Sequence, residues 1–325
     1  MPGGILVVAE HLKGELKETT FELLALGRRL AEGLGAPLYS VVMGEGASGL
    51  AAKLGAAQRV FVSEGAGLSP PVAEQAAAAL KSVVEKKDVA ITLVAGTNVW
   101  MGVEATLAAF LSLPLVNFCT NCRIENGQVV FTSKLFGGKI LADVRLPENR
   151  GVVSVNPGSF SAKDGEKEGS PAVEALEAGI GAARAVFREY VEPEAGDVDI
   201  TKQDVLVSVG RGIQSKDNIE MAETIAHLLG GAVSASRPVV DQGWLPLTRQ
   251  VGKSGMIVKP KLYLALGISG APEHAEGMKG AKLIVAINSD AKAPIFEISH
   301  YGICGDLFEI VPALTEAIES RKQVG

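Results

Sequence analysis

LALGISGAPEHAEG, residues 264–277, begins as an apolar run and breaks into glycines and a serine before it reaches Glu273 and His274. A buried strand that feeds a helix through such a loop leaves backbone N–H groups open at a ligand-sized crevice, the arrangement that holds nucleotide phosphates. Gly267 and Gly270 permit close backbone approach around Ser269. Pro272 is tolerated in the first turn of a helix, where its missing N–H is no loss. His274 then falls in that same turn, where the positive helix end is expected to depress its pKa and either ring nitrogen can donate to a ligand oxygen. A lone histidine is as readily a satisfied core or surface residue, so spacing alone leaves both readings open.

Working outward from this stretch, the second half of the chain repeats one theme. VLVSVGRG (205–212), GAVSASRP (231–238), KLYLALGISG (261–270), KLIVAINSD (282–290) and IFEISHYGICGD (295–306) read as strands, with helices at 218–231 and in the closing LFEIVPALTEAIES. The first half alternates in the same way: strands at 5–11, 37–44, 59–65 and 89–96 are separated by a helix at 19–35 and alanine-rich patterns at 47–56 and 70–87. Thr19 or Thr20 is a candidate cap for the first helix, with Glu22 supplying first-turn acidity. Strands that are apolar throughout and separated by helices indicate parallel sheets covered on both faces.

After LPLVNFC (113–119) the texture changes. Residues 123–160 carry Asn-Gly and Gly-Gly turn signals between β-rich stretches, which suits antiparallel hairpins laid beside the parallel sheet. Residues 165–179 read as polar linker with an alanine-rich, helical latter half, and Pro, Gly and alternating charge at 191–203 mark a domain boundary. The expected fold is α/β in two domains. Residues 1–195 form a parallel-sheet domain with added antiparallel strands; residues 196–325 form a doubly wound, flavodoxin-like or Rossmann-like domain.

Composition narrows the function classes. The chain has 325 residues, 47% of them hydrophobic, and a formal charge of −6 from 31 basic and 37 acidic residues, which argues against a generally nucleic-acid-binding surface. No apolar run is long enough for a membrane span, and no targeting segment precedes the first strand, so a cytoplasmic, non-membrane protein is expected. Three cysteines make no disulfide framework, and the Cys119–Cys122 pair lacks the further ligands of a metal site, so a structural role is expected for both and no metal is assigned.

Polar loops follow several strands. In VGRGIQSKDN, Arg211 lies between glycines within reach of a phosphate, and Ser215 or Asp217 can cap the next helix. In SASRPVVDQGW, Pro238 biases Arg237 toward an extended backbone, so this region reads as a fixed turn instead of a helix start, and Arg237 either serves a cofactor that gains negative charge or pairs with Asp241. RQVGKSG gathers Gln250, Gly252, Lys253 and Ser254. Asn288 and Asp306 stand at two further strand ends, placed for the sugar and base of a dinucleotide or for ordinary turns and caps. No Walker loop, complete G-x-G-x-x-G fingerprint or paired acid/base constellation occurs.

The motifs VGRG, GAVSASRPVVDQGW, QVGKSG and LYLALGISGAPEHAEGMKGAKLIVAIN (262–288) resemble the α-subunit of electron transfer flavoprotein, strongly over residues 205–312 and weakly over 1–190. The resemblance implies FAD held mainly by the second domain, and a heterodimer with a β-subunit that carries AMP and contacts the first domain. It implies that Arg211 lies near the FAD phosphates, Ser236 and Gln250 line the cofactor pocket, and Ser269 sits beside the pyrophosphate. Arg237 would lie over the isoalloxazine and support its anionic reduced form; Ser254, where the family has Thr, would bond the N5/O4 edge; His274 would contact flavin O2. Asn288 and Asp306 would serve the adenosine end, with Gly252, Lys253, Gly267, Gly270 and Glu273 completing the cradle. Two positions depart from the pattern: Pro272-Glu273 replaces Ile-Gln, and Lys253 replaces Gln, which removes an amide donor and adds a cation.

The implied chemistry is electron relay from a flavoprotein dehydrogenase, such as an acyl-CoA dehydrogenase of fatty-acid β-oxidation, to a quinone oxidoreductase. An NAD-dependent dehydrogenase, a noncatalytic nucleotide-sensing subunit and an electron-bifurcating variant are the alternatives.

Overall fold

The computed structural model describes residues 3–64, 68, 72–176, 183–189 and 197–324. The chain divides into two compact units, Met1–Glu189 and Tyr190–Gly325. Both are α/β, as the alternating pattern requires.

In chain order the first unit comprises β1 (Gly4–Val8), β2 (His11–Leu12), β3 (Glu15–Leu16), α1 (Glu18–Leu34), β4 (Leu38–Met43), α2 (Ala47–Leu50), β5 (Arg59–Ser63), α3 (Ala73–Lys86), β6 (Val89–Ala95) and α4 (Val103–Leu111). It continues through β7 (Leu115–Glu125), β8 (Gln128–Leu135), β9 (Ile140–Arg145), β10 (Gly151–Val155), α5 (Ala162–Gly165) and β11 (Ala172–Ala175). Among the described residues these strands, apart from the separate antiparallel pair β2-β3, build a sheet in the order β11-β5-β4-β1-β6-β10-β7-β8-β9. Pairing is parallel from β11 to β7 and antiparallel across β7-β8-β9. The central strands β1, β6 and β10 are buried along their whole length, which is why they read as unbroken apolar runs. Helix α1 covers them with Leu23, Leu24, Leu26 and Leu30, and a Cβ at Gly27 would fall 2.8 Å from the Val7 side chain. It stops at Gly35, whose φ of 64° lets its N–H close back onto Ala31.

The Asn126-Gly127 turn has both residues at positive φ and joins β7 to β8, as read from the sequence. Other expectations are corrected. The stretch 151–155 is no hairpin arm but the parallel strand β10 between β6 and β7, because an apolar run buried on both faces belongs in the middle of the sheet. The alanine-rich part of 165–179 is not helical where described: residues 172–175 form β11 beside β5, since satisfying a sheet edge outweighs alanine's helix propensity, and residues 177–179 lie outside the described residues. Neither Thr19 nor Thr20 caps α1. Lys17 holds the N-cap position, while Thr20 Oγ1 donates to the Glu10 carbonyl and accepts from its N–H, both at 2.8 Å. Glu22 accepts from the N–H groups of Gly158 and Ser159. In both cases backbone groups at the sheet end recruit the side chain. Cys119 and Cys122 are buried thiols, and burial pushes Cys119 up to about 12.

The second unit runs β12 (Val205–Val209), α6 (Ile219–Leu228), β13 (Ala232–Ala235), α7 (Arg237–Asp241), β14 (Leu262–Leu266), α8 (Pro272–Met278), β15 (Leu283–Asn288), α9 (Ile295–Ile298), β16 (Tyr301–Cys304) and α10 (Leu307–Val324). Its parallel sheet has the order β13-β12-β14-β15-β16, so the winding reverses between β12 and β14. That is the flavodoxin-like doubly wound order. One face packs Val207, Val209, Leu264 and Leu266 with residues of α6 and α10; the other packs Leu206, Tyr263 and Ala265 with Val251, Val258 and Met278.

Residues 191–196 of the expected boundary lie outside the described residues. Just beyond them, Asp197 is paired with Arg249, whose Nη1 also donates to the Val233 carbonyl at 2.7 Å, tying this segment to β13. The expected strand at 295–306 divides into α9 and then β16. Ser215 and Asp217 do not cap α6; Asn218 is its N-cap residue, and its side chain donates to Ile213 O. Among the described residues no helix is long and apolar enough to cross a membrane.

Leu30 is fully buried in the first unit. Leu30→Ala is expected to lower that unit's stability by about 2–5 kcal/mol. Leu135→Ala, at a half-exposed site, should change it by no more than about 0.5 kcal/mol, measured by denaturant unfolding of the full chain.

Candidate functional site

The loops leaving β12 and β14 meet at the winding reversal, and they meet as backbone. Gly212 N–H donates to Gly267 O at 3.1 Å; a Cβ on Gly210 would fall 2.3 Å from that oxygen, and one on Gly267 would fall 2.7 Å from Gly212 Cα. Gly267 also sits at φ 64°, so geometry and space both demand glycine there. The loop continues through Ile268, whose carbonyl accepts from Asn288 Nδ2 at 2.8 Å, to Ser269, whose carbonyl accepts from Ile295 N–H at 3.0 Å. At Gly270, φ is 86° and a Cβ would lie 2.3 Å from the Ile295 nitrogen. The Ser269 side chain is exposed.

A second backbone contact joins the 250–255 loop to α8. Lys253 N–H donates to Glu273 O at 2.8 Å, Gly252 has φ 140°, and a Cβ on Gly277 would lie 2.4 Å from the Gly252 nitrogen. Val251 N–H donates to Ala235 O, laying this loop beside β13. Gln250 is buried and its Nε2 donates to Ser254 Oγ at 3.0 Å, while Ser254, Lys253 and Glu273 are exposed. The structure thus brings Gln250, Gly252, Lys253, Ser254, Glu273 and His274 together, and separately Gly267, Ser269, Gly270 and Asn288 with the glycines flanking Arg211.

Arg211 is exposed on the turn after β12. Arg237 is not in a fixed turn: it opens α7, with the buried Ser236 at the N-cap position and Pro238 in the first turn, where its absent N–H costs nothing. Its side chain is 68% exposed, and its guanidinium lies 3.3 Å from Asp241, one turn on. Asp306 caps α10 by accepting from Phe308 N–H at 2.9 Å, and Gly305 N–H donates to Asn288 O, so the ends of β15 and β16 are adjacent.

His274 is only 7% exposed. Its Nε2 lies 2.9 Å from the Tyr263 hydroxyl, and its enclosed Nδ1 has no partner in hydrogen-bond geometry. Burial lowers its pKa to about 4, with the Val251 backbone offsetting this in part. Desolvation, which the sequence reading did not invoke, is therefore the leading cause. Helix α8 is a short seven-residue segment, and desolvation dominates. Sequence reasoning missed the groups behind this ring. Tyr263, Ser208 and Ser234 are fully buried, and Ser208 pairs with Ser234 across β12 and β13. The signal was there: a serine at the matching position of two apolar strands, VLVSV and AVSA.

The arrangement fits a dinucleotide cofactor. Three glycine approaches bring main chain against main chain, one of them where the strand order reverses, and exposed Arg211 and Arg237 supply positive charge for an anionic ligand. The described residues hold no grouping of His, Cys, Asp or Glu suited to a metal ion.

Comparison with known proteins agrees with this layout. Residues 199–279 match the family model described as the electron transfer flavoprotein FAD-binding domain, and residues 5–180 match the electron transfer flavoprotein domain. The chain is 33% identical to the electron transfer flavoprotein subunit alpha of Bacillus subtilis (strain 168), over 96% of each chain. It is 36% identical to the lactate dehydrogenase (NAD(+),ferredoxin) subunit LctC of Acetobacterium woodii, over 97% of this chain and 77% of that one. It is also 34% identical to the acryloyl-CoA reductase electron transfer subunit beta of Anaerotignum propionicum, over 98% and 96%.

The depressed His274 pKa carries a pH signature. Between the ordinary value of 6.5 and about 4 the unfolded chain takes up a proton that the folded ring refuses, so stability falls as pH drops through that window. The loss should reach about 3 kcal/mol near pH 4, and His274→Gln should flatten that part of the profile when denaturant unfolding is compared at pH 7 and pH 4.5.

Proposed function

The chain belongs to the electron transfer flavoprotein α-subunit family, and on that premise we propose that its second unit grips FAD at the carboxyl ends of β12 and β14 while leaving the redox ring reachable by docked proteins. FAD is its cofactor, electron transfer its general role, and a heterodimer its family-level assembly. When bound, FAD supplies a ring that takes up and releases electrons.

The chain's own residues hold that group and tune it. Backbone N–H groups of the glycine loops and the Arg211 guanidinium address the phosphates. Asn288 and Asp306 stand at the adenosine end. Ser236, Gln250 and Ser254 line the ring pocket, Gln250 fixing the Ser254 hydroxyl; Gly252, Lys253 and Glu273 form its rim beside His274. Arg237 brings a cation to the ring, where it favours negative charge gained on reduction. No acid/base pair is required, because electrons pass between proteins without proton abstraction from a substrate carbon. The observation that carries the reading is the backbone meeting of Gly210, Gly212 and Gly267 at the reversal of strand order.

The first unit would dock a β-subunit carrying AMP, with residues 1–195 and 196–325 as the two domains. Flavoprotein dehydrogenases, including acyl-CoA dehydrogenases of fatty-acid β-oxidation, would donate, and a quinone oxidoreductase would accept, in the cytoplasm. A second reading, favoured by likeness to the lactate dehydrogenase and acryloyl-CoA reductase subunits, makes the chain a fixed component of a larger flavoenzyme, with a second flavin in place of AMP. Counting FAD and AMP in the purified heterodimer separates the two, and a heterodimer that stays colourless with FAD supplied would defeat both.

Arg237→Ala should retain FAD but lower its reduction potential. Losing an exposed cation worth about 1 kcal/mol corresponds to a shift on the order of 40 mV for one electron. Potentiometric titration reads this directly; an unchanged potential would remove Arg237 from the proposed role.

A further inference from the structure

Asp197 stands near the start of the second unit, and its carboxylate engages the two residues that precede Gln250. Its Oδ1 accepts from Arg249 Nε at 2.6 Å, with Nη2 of the same guanidinium alongside, and its Oδ2 accepts from the Thr248 hydroxyl. Arg249 Nη1 donates in turn to Val233 O at 2.7 Å, so every nitrogen of the guanidinium has an acceptor. The pair is enclosed. The Asp197 and Arg249 side chains are 14% and 17% exposed, against 67% and 65% for Asp204 and Lys261, which pair on the surface of the same unit. An exposed pair contributes little, whereas removing one partner of an enclosed pair leaves the other charge unmatched and its geometry undefined.

Local roles do not account for this carboxylate. The turn at Ile200–Lys202 is capped by Asp199, whose side chain accepts from Thr201 N–H. Within its own segment Asp197 accepts from the neighbouring Val198 N–H; its bonds to Thr248 and Arg249 reach 51 and 52 residues along the chain. What they hold is the approach to Gln250, which lies between two attachments of its loop to β13. Before it, the Arg249 guanidinium is fixed on Val233 O; after it, Val251 N–H donates to Ala235 O at 2.9 Å. The second is a main-chain bond that any residue but proline can make. The first depends on a long side chain with several rotatable bonds, and the Asp197 carboxylate removes that freedom. The N–H groups of Arg249 and Gln250 bond back within the turn, to Pro246 O and Leu247 O, and give no hold on the sheet. Gln250 then places its Nε2 3.0 Å from Ser254 Oγ.

We infer that Asp197 is a positioning residue for the cofactor loop: it locks Arg249 against β13 and thereby sets where Gln250 presents the Ser254 hydroxyl. The consequence for FAD rests on the reading above, in which Gln250 and Ser254 line the ring pocket.

The test uses the full heterodimer with FAD and compares Asp197→Asn, Gln250→Ala and the double variant by potentiometric titration of the flavin. Asp197→Asn keeps the size of the side chain and removes its charge. It should shift the potential in the same direction as Gln250→Ala and weaken FAD binding by up to about tenfold, the loss of roughly one hydrogen bond. In the double variant it should add no further shift, because it acts through Gln250. Asp204→Asn, which breaks the exposed pair with Lys261, should leave the potential where it is. Thr248→Val should give a smaller shift of the same sign and serves if Asp197→Asn does not fold. With FAD bound to the wild type, an unchanged potential in Gln250→Ala or in both Asp197→Asn and Thr248→Val would overturn the inference. So would shifts that add in the double variant, or an equal shift from Asp204→Asn. A wild-type heterodimer that takes up no FAD would refute the FAD reading itself, and this inference with it.

Discussion

The second unit depends on backbone passing backbone where the strand order reverses. Gly210 and Gly267 are so close that a methyl on either would strike the other loop's main chain, and Gly267 also needs a left-handed φ. Neither requirement is met by a larger residue, and together they decide what the crevice can be. Loops forced this near one another present main chain instead of side-chain bulk at the sheet's carboxyl edge. The Gly252 and Gly277 approach repeats the device one loop away, bringing the Gln250–Ser254 pair against α8.

Much of this fold was legible because burial writes itself into sequence. Strands β1, β6 and β10 are enclosed on both faces and are apolar at every position but one or two; the Asn126-Gly127 turn needs positive φ at both residues and has the pair that adopts it most easily. The errors share a cause. Strand β10 looked like a hairpin arm, β11 like a helix and the start of α7 like a turn, since each is decided by a partner remote in sequence: the gap between β6 and β7, the open edge of β5, or the Val209 carbonyl that accepts from Ser236 N–H. Local propensity is a weak prior wherever a sheet edge or an unsatisfied carbonyl competes with it.

The candidate site divides the same way. Its glycines and exposed polar residues were readable, because loops after parallel strands concentrate them. Tyr263 was not, because LYLAL reads as core and the phenol's contact with His274 appears only when α8 brings the imidazole over β14. His274 was visible, but the cause of its depressed pKa was misread: a seven-residue helix contributes less than enclosure beneath it. Burial converts what looked like a charged or switchable group into a neutral one.

That conversion separates two kinds of control. Groups inside the crevice wall, Gln250, Tyr263 and His274, are enclosed and uncharged at neutral pH, so their influence is geometric and insensitive to salt. Arg237 stands outside, 68% exposed, and its partner Asp241 is a surface carboxylate at 3.3 Å. A surface pair of this kind is worth little and is screened by ions. On the proposed FAD reading, releasing Arg237 toward an anionic ring would therefore cost little, and a protein docking there would strengthen its charge by excluding water. The interior of this unit fixes where a cofactor can sit, while its exposed cations leave the electrostatics open to whatever binds next.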